Sequence, residues 1–159
     1  MTPLRQAIGF VVSIAICFGA AGIGSMLTAP SIGGWYAELA KPVWTPPNWV
    51  FGPVWSLLYF AMAIAAWLVW RGTGFPHAAS ALNLFAAQLV LNVCWSAIFF
   101  GAHRVGLAFA EILLLWLMIL ATMIAFRPFS RLAAWLMAPY LLWVAFASAL
   151  NFSIWRLNA

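Results

Sequence analysis

Charge is what this sequence has least of: seven basic and two acidic residues in 159, or 6% of the chain. A water-soluble domain carries about 25% charged and roughly 45–50% apolar residues. Here 67% of the residues are hydrophobic, so no folding of the chain clothes a globule in polar surface. That excludes a soluble enzyme of ordinary design and a disordered tail. The net charge of +5 is spread thinly along the chain rather than gathered in a patch, which excludes a nucleic-acid interface. Acids are scarcer still. Glu38 and Glu111 are the whole set, too few for paired-carboxylate chemistry, and neither a Ser-His-Asp set nor a phosphate loop occurs. Cys17 and Cys94 have the spacing of neither a redox pair nor a metal site. His77 and His103 lie far apart, and a metal centre needs more ligands than these. The expectation is no catalytic residue, no metal and no resident cofactor.

What fills the space between the charges is long apolar runs. The stretches from Arg5 to Glu38, Lys41 to Arg71, Arg71 to Arg104 and Arg131 to Arg156 contain no formal charge, and Val105 to Phe126 contains only Glu111. A spanning helix needs about 20 mostly apolar residues, and each run is long enough. None alternates, and all exceed the ~10 residues of a barrel strand. The sequence therefore predicts an all-α fold, an integral membrane bundle of five transmembrane helices. The helices cover about 6–27, 49–70, 79–101, 105–126 and 132–155, in a single domain over 1–159. The first apolar stretch, Ala7 to Leu27, outlasts the ~7–15 residues of a signal-peptide core and reads as a retained helix. Arg5, Arg71, Arg127 and Arg131 fall at one end of such a bundle, and Lys41, Arg104 and Arg156 at the other. The excess of one leans towards a cytoplasmic N-terminus.

Small and polar residues inside the runs carry more information. Gly9, Ser13, Cys17, Ala21 and Ser25 recur every fourth residue, as do Ala97 and Gly101. That spacing suits close helix packing, within the bundle in preference to a seam between copies. Polar side chains in a span are costly unless they face the interior. Gln88, Asn92 and Trp95 share one helical face, as do Trp55, Tyr59 and Met62, and Trp143, Ala147, Leu150 and Asn151. Glu111 is expected to face the bundle near Arg104, which would pair with it. Eleven tryptophans exceed what interfacial belts need: belts account for Trp35, Trp49, Trp70 and Trp155, whereas Trp55, Trp95, Trp116 and Trp143 sit deeper. Two readings stay open, a core filled by rings and stitched by amides, or an aromatic site for a flat apolar ligand. The long loop 28–48, with Pro30, Gly33, Gly34, Pro42, Pro46 and Pro47 around Trp35, Tyr36 and Trp44, reads as a lid or as an interfacial loop.

Several motifs carry a resemblance. Trp35-Tyr36-x-x-Leu39-x-Lys41-Pro42-x-Trp44-x-Pro46-Pro47-x-Trp49-Val50 runs into Gly52-Pro53-Val54-Trp55-x-x-Leu58-Tyr59. Gln88-Leu89-x-Leu91-Asn92-x-x-Trp95, Phe99-Phe100-Gly101, Pro139-Tyr140-Leu141-x-Trp143 and Leu150-Asn151 follow in order. From about Trp35 to Asn158 the chain resembles the tryptophan-rich sensory protein family, also called the translocator protein or peripheral benzodiazepine receptor family. The resemblance implies a five-helix bundle binding porphyrins, such as protoporphyrin IX or haem-type tetrapyrroles, under the first long loop. Carried over by position, the ligand site comprises Tyr36, Pro46, Trp55, Tyr59, Asn92, Trp95, Trp143, Ala147 and Leu150. The role implied is a membrane receptor or sensor regulating tetrapyrrole handling. The alternatives are a porphyrin or sterol transporter and an enzyme degrading protoporphyrin in light. Leu150, Phe152 and Arg156 stand where the family's cholesterol motif has an apolar residue, a Tyr and a base. The central hydroxyl is missing, which speaks against a sterol ligand. Membrane lipid, a homodimer partner and a bacterial membrane complete the expectations, inner and outer membranes being undistinguished.

Overall fold

The computed structural model describes residues 2–159. Among these the fold is all helix: α1 (Pro3–Ile32), α2 (Trp35–Glu38), α3 (Asn48–Thr73), α4 (Phe75–Ser96), α5 (Val105–Phe126), α6 (Arg131–Leu136) and α7 (Ala138–Leu157). A π-helical stretch, Ala97–Gly101, prolongs α4, and α6 and α7 together make one span. Five helical segments are thus long and apolar enough to cross a bilayer, and the protein is an integral membrane protein.

Local chemistry sets the ends. The Thr2 hydroxyl accepts from the Arg5 amide at 3.4 Å, and Pro3 opens α1 where its missing N–H is no loss. Helix α1 runs five residues beyond the expected end at 27. Pro30 sits within one turn of the helix end, so it removes only one late hydrogen bond and does not stop the helix. The expected loop 28–48 is accordingly shorter: its first residues belong to α1, and 35–38 form the single turn α2. Helix α4 starts at Phe75 rather than 79, with Pro76 in its first turn and only Gly74 between it and α3. Gly74 takes φ 77°, a conformation that glycine adopts without a steric cost, and its N–H donates to Trp70 O at 2.8 Å. The last span breaks at Met137 because Pro139 cannot donate to the preceding turn.

The interior lies between α3, α4, α5 and α7, where Met62, Ile112, Ile119, Phe126, Met137 and Tyr140 are fully enclosed. Helix α1 is an edge element. Only Cys17, Gly24 and Ser31, one every seventh residue, are buried along it. Its first third is clamped to α3: Trp67 donates from Nε1 to Gln6 O at 3.0 Å, and Phe10 meets the Trp67 ring edge-on at 5.4 Å. A Cβ on Gly9 would fall 2.1 Å from the Trp70 ring, so only glycine permits this approach. The small residues thus pack within the bundle at this point. Beyond Phe18 the helix still meets the end of α4 through Gly24 and Ser31, but its side towards α3 lines a cavity.

Candidate ligand cavity

The cavity measures about 630 Å³, within the roughly 300–1,000 Å³ usual for small-molecule sites. Helix α1 supplies one wall from Phe18 to Ile32, largely small residues, and α3 supplies Phe51, Gly52, Trp55, Ser56 and Tyr59. Asn92, Trp95, Ser96, Phe99 and Phe100 come from α4 and its π-helical end, and Trp143, Ala147, Leu150, Asn151 and Ile154 from α7. Tyr36 of α2 closes the loop end. Gly22, Ser25 and Ala29 of α1, and Gly52 and Ser56 of α3, line the cavity and are also exposed, so it opens sideways between these two helices.

Buried polar groups hold the walls in register. Tyr59 donates its hydroxyl proton to Asn92 Oδ1, and Asn92 Nδ2 donates to the Tyr140 hydroxyl at 2.9 Å, joining α3, α4 and α7. Higher up, Trp95 Nε1 donates to Asn151 Oδ1 at 3.0 Å, and Asn151 Nδ2 donates to Val105 O at 2.9 Å, which ties in the start of α5. Satisfied networks of this kind fix one arrangement of helices because any slip would orphan several buried groups at once. The rings above them interlock. Trp95 stacks on Phe99 at 5.1 Å, and Trp55 meets Tyr140 edge-on at 6.0 Å.

The loop end is tied down by four devices. Lys41 Nζ donates to the carbonyls of Tyr36 (2.6 Å), Leu39 (2.9 Å) and Ala37 (3.3 Å), and lies 4.8 Å from the Tyr36 ring centre. Asn158 makes a reciprocal pair with Ala40, accepting from its N–H at 3.0 Å and donating to its carbonyl at 2.9 Å. Trp35 stacks on His103 at 4.1 Å, and Ser31 Oγ donates to Phe100 O at 2.7 Å while standing 3.3 Å from His103 Nε2. Trp44 meets Phe146 of α7 at 5.7 Å. Trp35 is therefore a packing residue of the loop and not merely a belt anchor. Burial pushes the Tyr36 phenol above its ordinary range, which keeps it neutral beside the cavity.

Eight of the nine residues singled out from the sequence line this one space: Tyr36, Trp55, Tyr59, Asn92, Trp95, Trp143, Ala147 and Leu150. Pro46 stands outside the lining, half-buried in the loop. The wall of α1 has no place in that set, because its lining residues between Phe18 and Ile32 are glycine, alanine, serine and threonine, whose only signal is small size. Gln88 shares a helical face with Asn92 but lies below the cavity. It is fully buried, with Nε2 3.9 Å from Met62 Sδ and Oε1 without a partner. Glu111 does not pair with Arg104. Both its carboxylate oxygens are buried without a hydrogen-bond partner, whereas Arg104 ends in the exposed corner before α5. The short link between the helices turns Arg104 outwards and α5 carries Glu111 inwards. Trp143 is also notable: its indole N–H is buried without a partner, although the ring lines the cavity and meets Phe51 at 5.8 Å.

No group of three or more metal-ligating side chains occurs among the described residues, and both cysteines are free. The arrangement offers ring surfaces and a few amide and hydroxyl groups.

Comparison with known proteins gives a consistent result. The profile of the TspO/MBR family matches residues 12–156. The chain is 42% identical over 159 residues to a human protein named translocator protein, covering 98% of this chain and 92% of that one. It is 41% identical over 159 residues to the tryptophan-rich protein TspO of Archaeoglobus fulgidus, covering all of both chains. Identity to the tryptophan-rich sensory protein of Cereibacter sphaeroides is 40% over 149 residues, 94% of this chain and 90% of that one.

Proposed function

The chain belongs to the TspO/MBR family, and we propose that it is a membrane receptor that binds porphyrins in the aromatic cavity and regulates tetrapyrrole handling. The observation that carries this reading is the Trp143 ring, which lines a cavity of about 630 Å³. A ligand with a broad flat face covers that ring, and acceptors at its rim meet the Ser, Thr and Asn side chains of the wall. Protoporphyrin IX and haem-type tetrapyrroles have both features, a broad π-surface and peripheral carboxylates. Tyr36, Trp55, Tyr59 and Trp95 add further rings, and Ala147 leaves room beside Trp143. The sensing role is supported by the name of the Cereibacter relative, tryptophan-rich sensory protein. A bacterial membrane is the proposed setting, supported by the bacterial and archaeal relatives.

The sideways opening between α1 and α3 favours a second reading, a facilitated carrier that takes the same ligands from the bilayer. Porphyrin flux across proteoliposomes separates the two, since a receptor binds without accelerating transfer. The test of the site itself is fluorescence quenching on titration of purified protein with protoporphyrin IX. Base–aromatic stacking, an analogous contact, is worth about 1–3 kcal/mol per ring, so Trp143→Ala weakens binding by about fivefold or more. Trp143→Phe keeps an aromatic face of smaller area and should fall between wild type and Trp143→Ala. Wild-type affinity in both folded variants refutes the assignment.

A further inference from the structure

At the end of the molecule remote from the loop, the chain turns from α5 into α6 around a second, shallower space. Ile124, Arg127, Pro128 and Arg131 line a cleft of about 500 Å³ there. Both guanidinium groups are exposed, and among the described residues neither has a hydrogen bond or an ion pair. The guanidinium groups of Arg5, Arg104 and Arg156 likewise have no partner among the described residues, but none of them lines this cleft, and the two remaining cations are occupied. Arg71 lies 4.5 Å over the Trp67 ring, and Lys41 is spent on three carbonyls. No protein carboxylate serves this end. Glu38 belongs to α2 beside the other mouth, and Glu111 lies on α5, 16 residues before Arg127, roughly 24 Å away at the rise of an α-helix. Arg5 and Arg71 bring more positive charge to the same end, as the contacts of Gln6 and Phe10 with Trp67 establish.

Two like charges facing one cleft repel unless an anion sits between them. The surroundings say which kind of anion fits. Leu113, Leu117 and Ile124 form one exposed stripe along α5 that leads directly to the cleft, and Leu132 and Trp135 flank it from α6. Leu113 is 45% exposed, Leu117 56% and Ile124 64%, so the stripe has no protein cover. The pattern is amphipathic along the membrane normal, with an anion site at the headgroup level and an uncovered apolar track running into the hydrocarbon. An arginine fork matches phosphate oxygens in bidentate fashion, and basic clefts at the ends of spans take phospholipid headgroups.

We propose that Arg127 and Arg131 form a binding site for the phosphate headgroup of an anionic phospholipid whose acyl chain lies along Leu117 and Leu113.

The test is lipid retention by the full chain. Protein delipidated in detergent is titrated with phosphatidylglycerol or phosphatidylcholine of equal chain length, and the bound lipid is counted by native mass spectrometry. Wild type retains phosphatidylglycerol in preference. Interfacial arginines contribute about 1 kcal/mol each, so R127Q and R131Q singly reduce that preference about fivefold and the double variant about thirtyfold. The single variants keep the test intact should the double fail to fold. R5Q/R71Q, at the same end but outside the cleft, retains the preference. Equal loss in R5Q/R71Q and R127Q/R131Q means a diffuse positive field and overturns the site, as does unchanged preference in R127Q/R131Q. Displacement of phosphatidylglycerol from the wild type by millimolar inorganic phosphate assigns the cleft to free phosphate and overturns the lipid reading.

Discussion

The most economical lever on the cavity mouth is Asn158, the second residue from the end of the chain. Its side chain accepts from Ala40 N–H at 3.0 Å, donates to Ala40 O at 2.9 Å and donates to Ile154 O at 2.7 Å, so one amide fixes the loop to the end of α7. Asn158→Ala deletes the two bonds to the loop. Each net protein hydrogen bond is worth ~0.5–1.5 kcal/mol. These two are exposed, where water replaces lost partners, so the low end of that range applies, about 0.5–0.7 kcal/mol each and about 1–1.4 kcal/mol in total. Loop opening then becomes about five- to tenfold more populated, at 1.4 kcal/mol per decade. The Ala40 amide is a poor reporter, since the substitution removes its own acceptor. Thr45 is a better one: its N–H donates to Pro42 O at 3.0 Å, inside the loop and away from Asn158. Hydrogen exchange at Thr45 should accelerate five- to tenfold, and the porphyrin off-rate should rise by a similar factor while the melting temperature stays near that of wild type. Asn158→Asp keeps the acceptor for Ala40 N–H but loses both donors, and should fall between the two. Exchange at Thr45 and an off-rate both within twofold of wild type would refute the clamp. The loop would then be held by Lys41 and by the ring contacts of Trp35, Tyr36 and Trp44 alone.

Three other substitutions probe the bundle, and a fourth the cavity. Gly9→Leu drives a side chain into the Trp70 ring, where even a Cβ would stand at 2.1 Å; overpacking costs ~1–3 kcal/mol, read as a lowered melting temperature in detergent. Gly19→Ala, with nothing within 4 Å of the added carbon, should leave melting unchanged or raise it. Ala147→Phe fills the space beside Trp143 in the cavity wall, and should reduce porphyrin affinity by more than tenfold while the fold survives. Glu111→Met removes two buried oxygens that have no partner. An orphaned polar group costs ~1–3 kcal/mol, so this variant should melt higher than wild type; a lower melting temperature would mean that the carboxyl is satisfied in the membrane by a bound water or proton donor.

The fold was legible because its signal is coarse. Nine charges divide the chain into runs that only helices in a bilayer explain, and α5 begins and ends where the charges of Arg104 and Arg127 place it. The larger shifts lie near Pro30 in α1 and Pro76 in α4, and before Gly74, where α3 runs three residues past its expected end to Thr73. Reading Pro30 as a breaker shortened α1, because the weight of a proline depends on its distance from the helix end, which an apolar run does not reveal. Pro139, by contrast, does interrupt its span, one residue after the helix restarts at Ala138. The π-helical turn Ala97–Gly101 left no trace in the sequence beyond two small residues four apart. The Ala102 amide reaches back five residues to Ala97 at 2.8 Å, the bond that defines the turn, and Ser31 of α1 donates to the Phe100 carbonyl within it, a contact between residues far apart in the chain.

The candidate site was legible from polar and aromatic residues at helical spacing and from the motifs that carry the resemblance, and the α1 wall has neither. Asn92, Tyr59 and Asn151 are polar groups at helical spacing inside apolar runs, so the cost of burying them is enough to point them at each other. Their hydrogen bonds to Tyr140, Asn92 and Val105 are the form that compulsion takes. The α1 wall and the open side between Gly22 and Gly52 carry no such compulsion. A glycine or alanine on a helix is compatible with tight packing, as at Gly9, and with empty space, as at Gly22, and the four-residue period is the same in both cases. What decides between them is whether the facing helix presents a ring. Trp70 meets Gly9 and closes the bundle at that end, whereas nothing stands within 4 Å of a Cβ at Gly22, which shares the cavity lining with Trp55 and Trp143. Those two rings meet Tyr140 and Phe51, and such pairings between helices are not contained in residue spacing along one helix.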